Sequence, residues 1–337
     1  MRILLDVMGG DHPPDELVRG GIEAGRRHKI QVLFAGDATT IRHTFQSQGI
    51  QESQSFAVLP TTQVIRMAET PVRAVRDKQD SSLVRGLREL KAQRVDAIVS
   101  PANTGAVVAG SLFVLGRIRG IPRPGILATL PTLQGKDILV IDVGATIDCH
   151  PEHLVHFAQM GATYAQEIHG IASPAIGLLN IGAERGKGNR LTNHTHDLLA
   201  ASELSFSGNV EAHHLISHRP VDVVVCSGFA GNVFLKATEG GVTGATGLLR
   251  RAISASLPAK LGALLMKGAF RSLRDALSYE RHGGAPLLGV NGTVVIAHGR
   301  SNAEAIGSAI EVAYREVKSN LEYRIAQGIV REDKHGR

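Results

Sequence analysis

Four turns rich in glycine and asparagine carry most of the residues in this chain that could do chemistry. Each follows a strand-like apolar run, and the turns span residues 101–106, 142–145, 180–188 and 227–232. In an open parallel sheet, the turns after the strand ends line one crevice, where ligands bind. Glycine lets the backbone approach a ligand closely, and helix N-termini present unpaired N–H groups to anions. The turns therefore predict a single crevice that binds phosphate or another small anion.

Lys187 lies in the glycine loop 182–188 and could hold phosphate as a point charge. The loop is not a P-loop, because only three residues separate Gly182 from Gly186, and Gly188 stands where Ser or Thr would bind magnesium. No G-x-G-x-x-G sequence opens a helix, so a dinucleotide site is not predicted. Taken alone, the loop is equally compatible with a mobile surface segment.

The histidines and cysteines form no recognisable metal or nucleophile motif. The histidine pairs at 194/196 and 213/214 lack zinc-site spacing and have no cysteine pair nearby. Cys149 and Cys226 lie in or just after apolar runs, where buried structural thiols are the common outcome. We therefore expect no metal site, no cofactor and no covalent cysteine mechanism.

The composition of the 337 residues is that of a globular protein with a basic excess. Hydrophobic residues make up 43% and charged residues 20%, and the formal net charge of +6 suggests an acidic protein, an anionic membrane surface or nucleic acid as partner. Aromatic residues are only 4%, Trp is absent, and no nucleic-acid motif is present, so nucleic acid is not expected. The first residues read as a strand, without a leader pattern, and a cytoplasmic location is expected.

Strand and helix patterns alternate along the chain and would position the four turns. Strand patterns lie at 2–7, 31–35, near 98, 175 and 221 and at 293–297, and helical patterns lie at 15–27, 39–48, 81–92, 104–116, 151–168, 232–253 and 303–326. Such alternation predicts one α/β domain over residues 1–330, with a mostly parallel sheet and helices on both faces. The polar residues 331–337 are expected to be a disordered tail.

A helical excursion over residues 241–282 departs from the alternation. Within it, residues 260–277 project as an amphipathic helix with Leu, Met and Phe opposite a basic face made of Lys260, Lys267, Arg271 and Arg274. Such a helix can lie in a membrane interface, or it can pack on its own core or on a second subunit. The pattern alone does not decide whether this excursion contacts the membrane, a second subunit or both.

Further segments join these turns in a recognisable order along residues 1–325. They are residues 8–11, 71–73, 78, 80–82, 103–106, 142–145, 148–149, 178–182, 187–189, 208–211, 231–233, 235–236, 283–292, 298–299 and 301–303. In this order they resemble the PlsX family of bacterial phosphate acyltransferases, and the glycine-rich segment 283–292 is highly specific.

The resemblance implies a homodimer with a fold similar to the isocitrate and isopropylmalate dehydrogenases. It also implies transfer of a long-chain fatty acyl group from acyl carrier protein to inorganic phosphate. The acyl phosphate would feed a membrane glycerol-3-phosphate acyltransferase in phospholipid synthesis, with the enzyme attached peripherally to the membrane. Arg185 and Ser227 depart from the family pattern, so the alternative is an impaired paralogue that serves as a carrier-protein or membrane-binding scaffold.

Phosphate is already an anionic nucleophile, so the expected site holds phosphate against a thioester carbonyl and stabilises the oxyanion. Asparagine amides are the expected oxyanion donors, and carboxylates or a histidine would move protons. The expected catalytic residues are Lys187, Asn180, Asp11, His12 and Asp142. The expected phosphate- or substrate-binding residues are Asn103, Thr104, Gly105, Gly186, Gly188, Asn232 and Asn291. The basic residues expected to contact the acidic carrier protein or the membrane are Arg73, Arg76, Lys260, Lys267, Arg271 and Arg274.

Overall fold

The computed structural model describes residues 1–11, 14–268, 270 and 283–335, with the last six described by their backbone alone. Three of the residues expected to act in catalysis or binding lie outside the described residues: His12, Arg271 and Arg274. The seven-residue tail predicted from residue 331 is partly described, because the last helix continues to His335. Its Arg, Glu and Lys residues are good helix formers.

The described chain forms one sheet of eleven strands. The strands are β1 (Arg2–Asp6), β2 (Gln31–Gly36), β3 (Phe56–Pro60), β4 (Ala97–Ser100), β5 (Gly125–Leu130), β6 (Ile138–Ile141), β7 (Ile176–Asn180), β8 (Phe206–Glu211), β9 (Val223–Val225), β10 (Ala285–Leu288) and β11 (Thr293–Ile296). Their order across the sheet is β3-β2-β1-β4-β11-β10-β5-β6-β9-β7-β8. Seven of the ten neighbouring pairs are parallel, which confirms the mostly parallel sheet.

Twelve helices connect these strands within the described residues. They are α1 (Pro14–His28), α2 (Ala38–Ser47), α3 (Pro71–Asp77), α4 (Ser82–Lys91), α5 (Thr104–Val114), α6 (Pro151–His169), α7 (Arg190–Ala200), α8 (Ala212–His218), α9 (Gly228–Ser254), α10 (Leu257–Leu265), α11 (Ala303–Ser319) and α12 (Leu321–His335). Several begin at a short polar side chain that accepts a backbone N–H, as Asp37, Ser81, Asn103 and Asn302 do.

Strands β10 and β5 divide the sheet into two parallel groups. β10 is antiparallel to both β11 and β5, and β5 is antiparallel to β6. The group β3-β2-β1-β4-β11 and the group β6-β9-β7-β8 are each parallel internally. The turns after β4 and those after β6, β7 and β9 therefore belong to separate groups, and they do not form the single row of turns that the sequence predicts.

Both faces of the sheet are covered by helices, as predicted. One face buries a single apolar cluster with α3, α4, α5 and α8, and it spans both strand groups from Leu4 and Ile98 to Val140 and Val224. The other face buries two clusters. The first lies under α1, α2 and α11, and the second lies under α6, α7 and α12. Successive side chains of a strand point to opposite faces of the sheet, so each strand contributes to a core on either face.

Three helix boundaries differ from the sequence prediction for local reasons. α9 begins at Gly228 rather than residue 232, because Ser227 caps the helix by accepting the N–H of Ala230 at 3.3 Å. The pattern at 303–326 is two helices, because Asn320 adopts a left-handed conformation (φ 52°) between α11 and α12. The pattern at 260–277 is represented by α10, which ends at Leu265, while residues 271–282 lie outside the described residues.

Helices α9 and α10 leave many apolar side chains in solvent. Of the 27 residues of α9, only Gly228 and Gly231 are buried, and α10 buries none of its residues. Leu265 is 89% exposed, and the other exposed large apolar residues of this region are Phe229, Val233, Leu248, Leu249, Leu257, Leu261, Leu264 and Met266. Within the described residues, no helix combines the length and apolar character needed to cross a bilayer.

A substitution at Phe157 tests whether the core under α6 is packed as described. Its side chain is fully buried and lies against β5 at Gly125. Phe157→Ala should lower the free energy of unfolding by about 3–5 kcal/mol, because it leaves a cavity in a packed interior. The matched control is Phe113→Ala, since Phe113 is 52% exposed, and a change within about 0.5 kcal/mol is expected there. Urea denaturation followed by circular dichroism measures both, and equal losses would contradict the assigned core.

Candidate functional site

The carboxylate of Asp142 organises the turn that follows β6. The residue is fully buried, and both of its oxygens accept backbone N–H groups. The donors are Ile126, Gly144 and Ala145, each at 2.9 Å, and Thr146 at 2.6 Å. Burial raises the pKa of Asp142, and the four backbone donors oppose that rise because they favour the charged form. The expected role of Asp142 in proton transfer does not fit these contacts, since its lone pairs already hold the turn.

The start of α9 packs directly on this turn, and two glycines make the close approach possible. A Cβ on Gly231 would overlap the carbonyl oxygen of Asp142, and a Cβ on Gly228 would lie 2.7 Å from the Asp142 carboxylate. The N–H of Gly228 donates to the carbonyl of Thr146 at 2.9 Å. Glycine at both positions is therefore required by contact with the backbone and the carboxylate of the Asp142 turn.

Asn232 faces the same turn with an amide that is free to bind a ligand. Its amide nitrogen would lie 3.5 Å from a Cβ built on Gly144, a residue with a φ of 142°. The side chain is half-buried, and it makes no hydrogen bond to any described residue. Most buried or half-buried amides in proteins are hydrogen-bonded. The Asn232 amide is therefore a donor available to a bound carbonyl or oxyanion, and its role in binding substrate stays a prediction.

The loop after β7 is held by Asn180. The Asn180 amide donates to the carbonyl of Lys187 at 3.0 Å, and its oxygen accepts the N–H of Ile181 at 2.9 Å. Gly186 and Gly188 have positive φ angles of 93° and 92°, which glycine adopts without strain. Asn180 thus shapes the loop with one of its two amide N–H groups, and its expected role as an oxyanion donor stays a prediction.

Lys187 is presented by this loop without a counter-charge. Its side chain is exposed and forms no ion pair with a described residue, whereas the neighbouring Arg185 pairs with Asp197 at 2.9 Å. Asn209 in β8 anchors the loop from below by donating to the carbonyl of Glu184 at 3.0 Å. A lone ammonium on a glycine-flanked loop can accept a phosphate as a point charge.

β7 pairs with β9, and β9 with β6, so Lys187, Asn232 and the Asp142 turn follow neighbouring strands of the second group. The sequence correctly predicts that these residues share one edge of a sheet. That Ser227 caps α9 was not predicted from the sequence, where the residue is only a departure from the family pattern. The signal for its role was its position directly before a glycine at a helix start.

The first strand group has its own cluster of turns, after β1, β4 and β11. Asp6 is buried and accepts the hydroxyl of Ser100 at 2.7 Å, and burial raises its pKa. A Cβ on Gly9 would meet Ala102 at 2.7 Å. The N–H of Asp11 donates to Gly299 at 2.7 Å, and the Asp11 side chain is exposed. The role of Asp11 in proton transfer stays a prediction.

The turn at 103–105 caps α5. The Asn103 side chain accepts the N–H of Ala106 at 3.1 Å and donates to the carbonyl of Met67 at 2.7 Å, so it has a structural role. The first N–H groups of a helix have no partner within it, and at α5 these belong to Thr104 and Gly105. This terminus is a second position that suits an anion, in the other strand group from Lys187.

Asn291 lies at the start of β11, in the first strand group. It precedes β11, whose first residue Thr293 pairs with Ala97 at the start of β4, so it sits at the opposite strand end from Asn103. Its amide donates to the carbonyls of Leu115 at 3.2 Å and Arg117 at 3.0 Å. The expected role of Asn291 in binding substrate does not fit these contacts, because both N–H groups of its amide are used by backbone carbonyls.

The cysteines near the Asp142 turn are not poised as nucleophiles. The Cys226 thiol is buried against the carbonyl of Asp142, and burial raises its pKa well above its usual range. Burial also raises the pKa of Cys149 to about 11. Thiolates are the reactive form, so neither thiol is activated here. Among the described residues, no group of three or more metal-ligating side chains comes together.

Gly231→Ala should disrupt the contact between α9 and the Asp142 turn. The new methyl group would collide with backbone, so we expect a loss of stability of about 1–3 kcal/mol and a large loss of activity. The matched control is Gly240→Ala in the same helix, where a Cβ meets nothing within 4 Å and the change should be neutral or stabilising. Thermal unfolding of both variants compares them, and a Gly231→Ala protein as stable as the control would contradict the contact.

Two solved structures share the fold at low sequence identity. A phosphotransacetylase from Streptococcus pyogenes aligns with a TM-score of 0.63 at 15% identity and covers 94% of each chain. A 4-hydroxythreonine-4-phosphate dehydrogenase from Klebsiella pneumoniae aligns with a TM-score of 0.54 at 14% identity and covers 94% of this chain and 99% of its own. These similarities support the dehydrogenase-like fold that the sequence predicts.

Sequence relatives cover the same length at higher identity. The family described as "Fatty acid synthesis protein" matches residues 1–324. A phosphate acyltransferase of Desulfitobacterium hafniense is 46% identical over 321 residues, which is 95% of this chain and 95% of that protein. A match of this identity over nearly the full length includes each of the turns described above. The chain belongs to the PlsX family of phosphate acyltransferases and is an acyltransferase.

Proposed function

We propose that this protein transfers a long-chain fatty acyl group from acyl carrier protein to inorganic phosphate, giving an acyl phosphate for phospholipid synthesis. The observation that carries the proposal is the pair of unpartnered groups at one sheet edge. Lys187 forms no ion pair with a described residue, and the Asn232 amide makes no hydrogen bond to one. A cation and an amide donor in this arrangement suit an anionic nucleophile and a carbonyl that becomes an oxyanion.

The reaction needs no protein nucleophile. A phosphate oxygen attacks the thioester carbonyl carbon, and the carbonyl oxygen becomes an oxyanion in the tetrahedral intermediate. The carbon–sulfur bond then breaks, and the thiolate leaves and takes up a proton. Lys187 would hold the phosphate, and the Asn232 amide would donate to the oxyanion. The Asp142 turn keeps Asn232 in place, so that positioning and one preorganised donor supply the catalysis.

A groove between α3, α4 and α5 is proposed as the contact for acyl carrier protein. It encloses about 410 Å³ and is lined by Val75, Arg76, Gln79, Val84, Arg88, Lys91, Phe113 and Val114. The Arg76 guanidinium lies 5.3 Å from the centre of the Phe113 ring, which is half exposed. Arg73, also expected to contact the carrier, is exposed and pairs with Asp77 at 3.3 Å. Basic side chains around an exposed aromatic ring suit an acidic protein partner.

The exposed face of α9 and α10 is proposed as the contact with a second subunit and with the membrane surface. Lys260 and Lys267 accompany its exposed leucines, and apolar side chains beside lysines favour an anionic lipid interface. An exposed apolar patch of this kind marks an interaction site in many proteins. In this proposal the enzyme is a cytoplasmic homodimer held at the membrane, where a glycerol-3-phosphate acyltransferase would use its product.

The direct test is phosphate-dependent release of free carrier protein from palmitoyl-acyl carrier protein, with the acyl phosphate trapped as a hydroxamate by hydroxylamine. Release that saturates with phosphate and yields the hydroxamate supports the proposal. If the thioester stays intact at all phosphate concentrations while the protein is folded, the acyl-carrier function is wrong and a scaffold that binds the carrier protein or the membrane takes its place.

Lys187→Ala should raise the KM for phosphate about tenfold or more, because a charged contact to the nucleophile is lost. The matched control is Arg185→Ala in the same loop, since Arg185 is engaged by Asp197. Initial rates against phosphate concentration measure both variants. A KM that is unchanged in Lys187→Ala would remove Lys187 from the phosphate site.

Asn232→Ala should lower kcat by about 10²–10³-fold with a small change in the KM for phosphate, because an oxyanion donor acts mainly in the transition state. The control is Thr246→Ala, an exposed position on the same helix, which should keep the parent kcat. Steady-state kinetics separate the two constants. An effect on KM alone would assign Asn232 to ground-state binding and contradict the oxyanion role.

The double variant Arg76→Glu with Arg88→Glu should raise the KM for acyl carrier protein at least tenfold at low salt, because it places acidic groups against an acidic partner. Arg27→Glu on α1, exposed on the other face of the sheet, serves as the control. The salt dependence of the KM should also flatten in the double variant, since fewer ion pairs remain to be screened. If both variants behave alike, the carrier protein docks elsewhere.

A further inference from the structure

A second cleft lies at the starts of β4 and β11, in the first strand group, and none of its lining residues belongs to the turns of the proposed reaction site. It has a volume of about 920 Å³, which is in the range of small-molecule sites. Its walls come from the end of α4, the segment after α5, the starts of β4 and β11, and the junction of α11 with α12. Asn103 and the start of α5 follow the end of β4, whereas the cleft lies at the start of β4. The cleft and the α5 terminus are therefore at opposite ends of the same strand.

Glu316 gives this cleft a buried polar group that lacks a partner. The residue lines the cleft and is 3% exposed, and its Oε1 makes no hydrogen bond. A buried carboxyl oxygen without a partner is costly, by about 1–3 kcal/mol, and is rare in native proteins. A rotation of the Glu316 side chain toward the cleft would bring this oxygen within reach of a ligand, which would then satisfy it.

The chemistry of Glu316 favours a hydroxyl group as its partner. Burial raises the pKa of Glu316 well above its usual range, which favours the neutral, protonated carboxyl. A neutral carboxyl both donates and accepts a hydrogen bond, which matches a hydroxyl group. An ammonium group is less suitable, because a neutral carboxyl gives it no counter-charge.

The rim of the cleft offers groups that suit an anion. Lys91 and Arg119 line it, and neither forms an ion pair with a described residue. The first turn of α12, from Leu321 to Tyr323, also lines it and brings the helix N-terminus to the cleft. Glu322 in that turn is already engaged, since it accepts the N–H of Gly292.

Asp96, the second carboxylate on the rim, accepts the N–H of Arg2 at 2.6 Å. Both rim carboxylates are therefore held by backbone donors. The rim cations and the end of α12 stay open to a ligand.

We propose that this cleft binds a small hydroxylated organic phosphate of the sugar phosphate class. The phosphate group would lie at Lys91, Arg119 and the start of α12, and a hydroxyl group would meet Glu316 at the base. No bond is made or broken, so the cleft is a binding site and not a second reaction site. It shares no residue with the Asp142 turn, the Lys187 loop or the α5 terminus, and Lys91 is the one residue that it shares with the groove proposed for acyl carrier protein.

Isothermal titration of the full-length protein with ribose 5-phosphate tests the proposal, with ribose and inorganic phosphate as separate titrants. We expect saturable binding of ribose 5-phosphate that neither titrant alone reproduces. Arg119→Ala should weaken it about tenfold. Glu316→Leu should reduce it to the affinity of inorganic phosphate, whereas Glu316→Gln should retain it, because an amide still donates and accepts. Arg27→Ala, an exposed cation elsewhere, should leave it unchanged.

Three results would overturn the proposal. The first is no saturable binding of ribose 5-phosphate up to about 10 mM. The second is equal binding by the parent protein, Arg119→Ala and Glu316→Leu. The third is binding that is lost in Lys187→Ala and kept in Arg119→Ala, which would place the ligand at the reaction site. Hydroxamate formation by Arg119→Ala should equal that of the parent protein. The hydroxamate assay therefore tests the proposed acyl transfer, and the titration separately tests ligand binding in the cleft.

Discussion

A carboxylate buried at the end of a strand must be hydrogen-bonded, and the way Asp142 meets this requirement shapes the second half of the sheet. Its two oxygens gather four backbone N–H groups, three from the turn that follows and one from the neighbouring strand β5. The turn is thereby closed tightly enough for α9 to begin against it through Gly228 and Gly231. The position of Asn232 one residue later follows from that contact. Removing the carboxylate would leave four donors without an acceptor in a dry interior, where each unmet group is costly.

The α9 helix connects this turn to a distant surface. It runs for 27 residues, about 40 Å at the rise of an α-helix, from the Asp142 turn to the exposed leucines near α10. Only its first residues are buried, so its outer part is stabilised within this chain by few tertiary contacts. A long helix with one end in the site and the other exposed gives a direct mechanical link between the proposed reaction and the proposed membrane or subunit contact.

The two strand groups share one core in spite of their opposite directions. Ala102, after β4, and Val143, after β6, belong to the same buried cluster, which also holds the inner faces of α4 and α5. The turns of both groups therefore border a common layer, and packing at interior density resists independent movement of either. The reversal through β10 and β5 separates the turn clusters and also leaves the starts of β4 and β11 free to line the cleft around Glu316.

The sequence by itself determined the parts that depend on local order. Apolar runs ending at glycine-rich turns identified the strands β1, β2, β4, β6, β7, β9 and β11, and helical periodicity located most of their partners. The family resemblance, carried by motifs spread along residues 1–325, was confirmed because such motifs are linear patterns. Lys187 and Asn232 were named from the sequence as candidate phosphate and carbonyl contacts, since a lysine between glycines and an asparagine in a helix's first turns are local features.

Only the tertiary structure decided which of these residues meet and which are already engaged. Asn180, Asn103 and Asn291 are similar amides in sequence, yet Asn180 donates within its own loop, whereas Asn103 and Asn291 donate to backbone carbonyls of distant segments. The reversal at β10 and β5 depends on pairing between strands far apart in the chain, and no periodicity records the direction in which two strands pair. Glu316 reads as an ordinary polar residue of a helix, and it becomes notable only because packing against α12 buries it. Local patterns specify elements, whereas partners and burial arise from contacts between segments that the sequence places far apart.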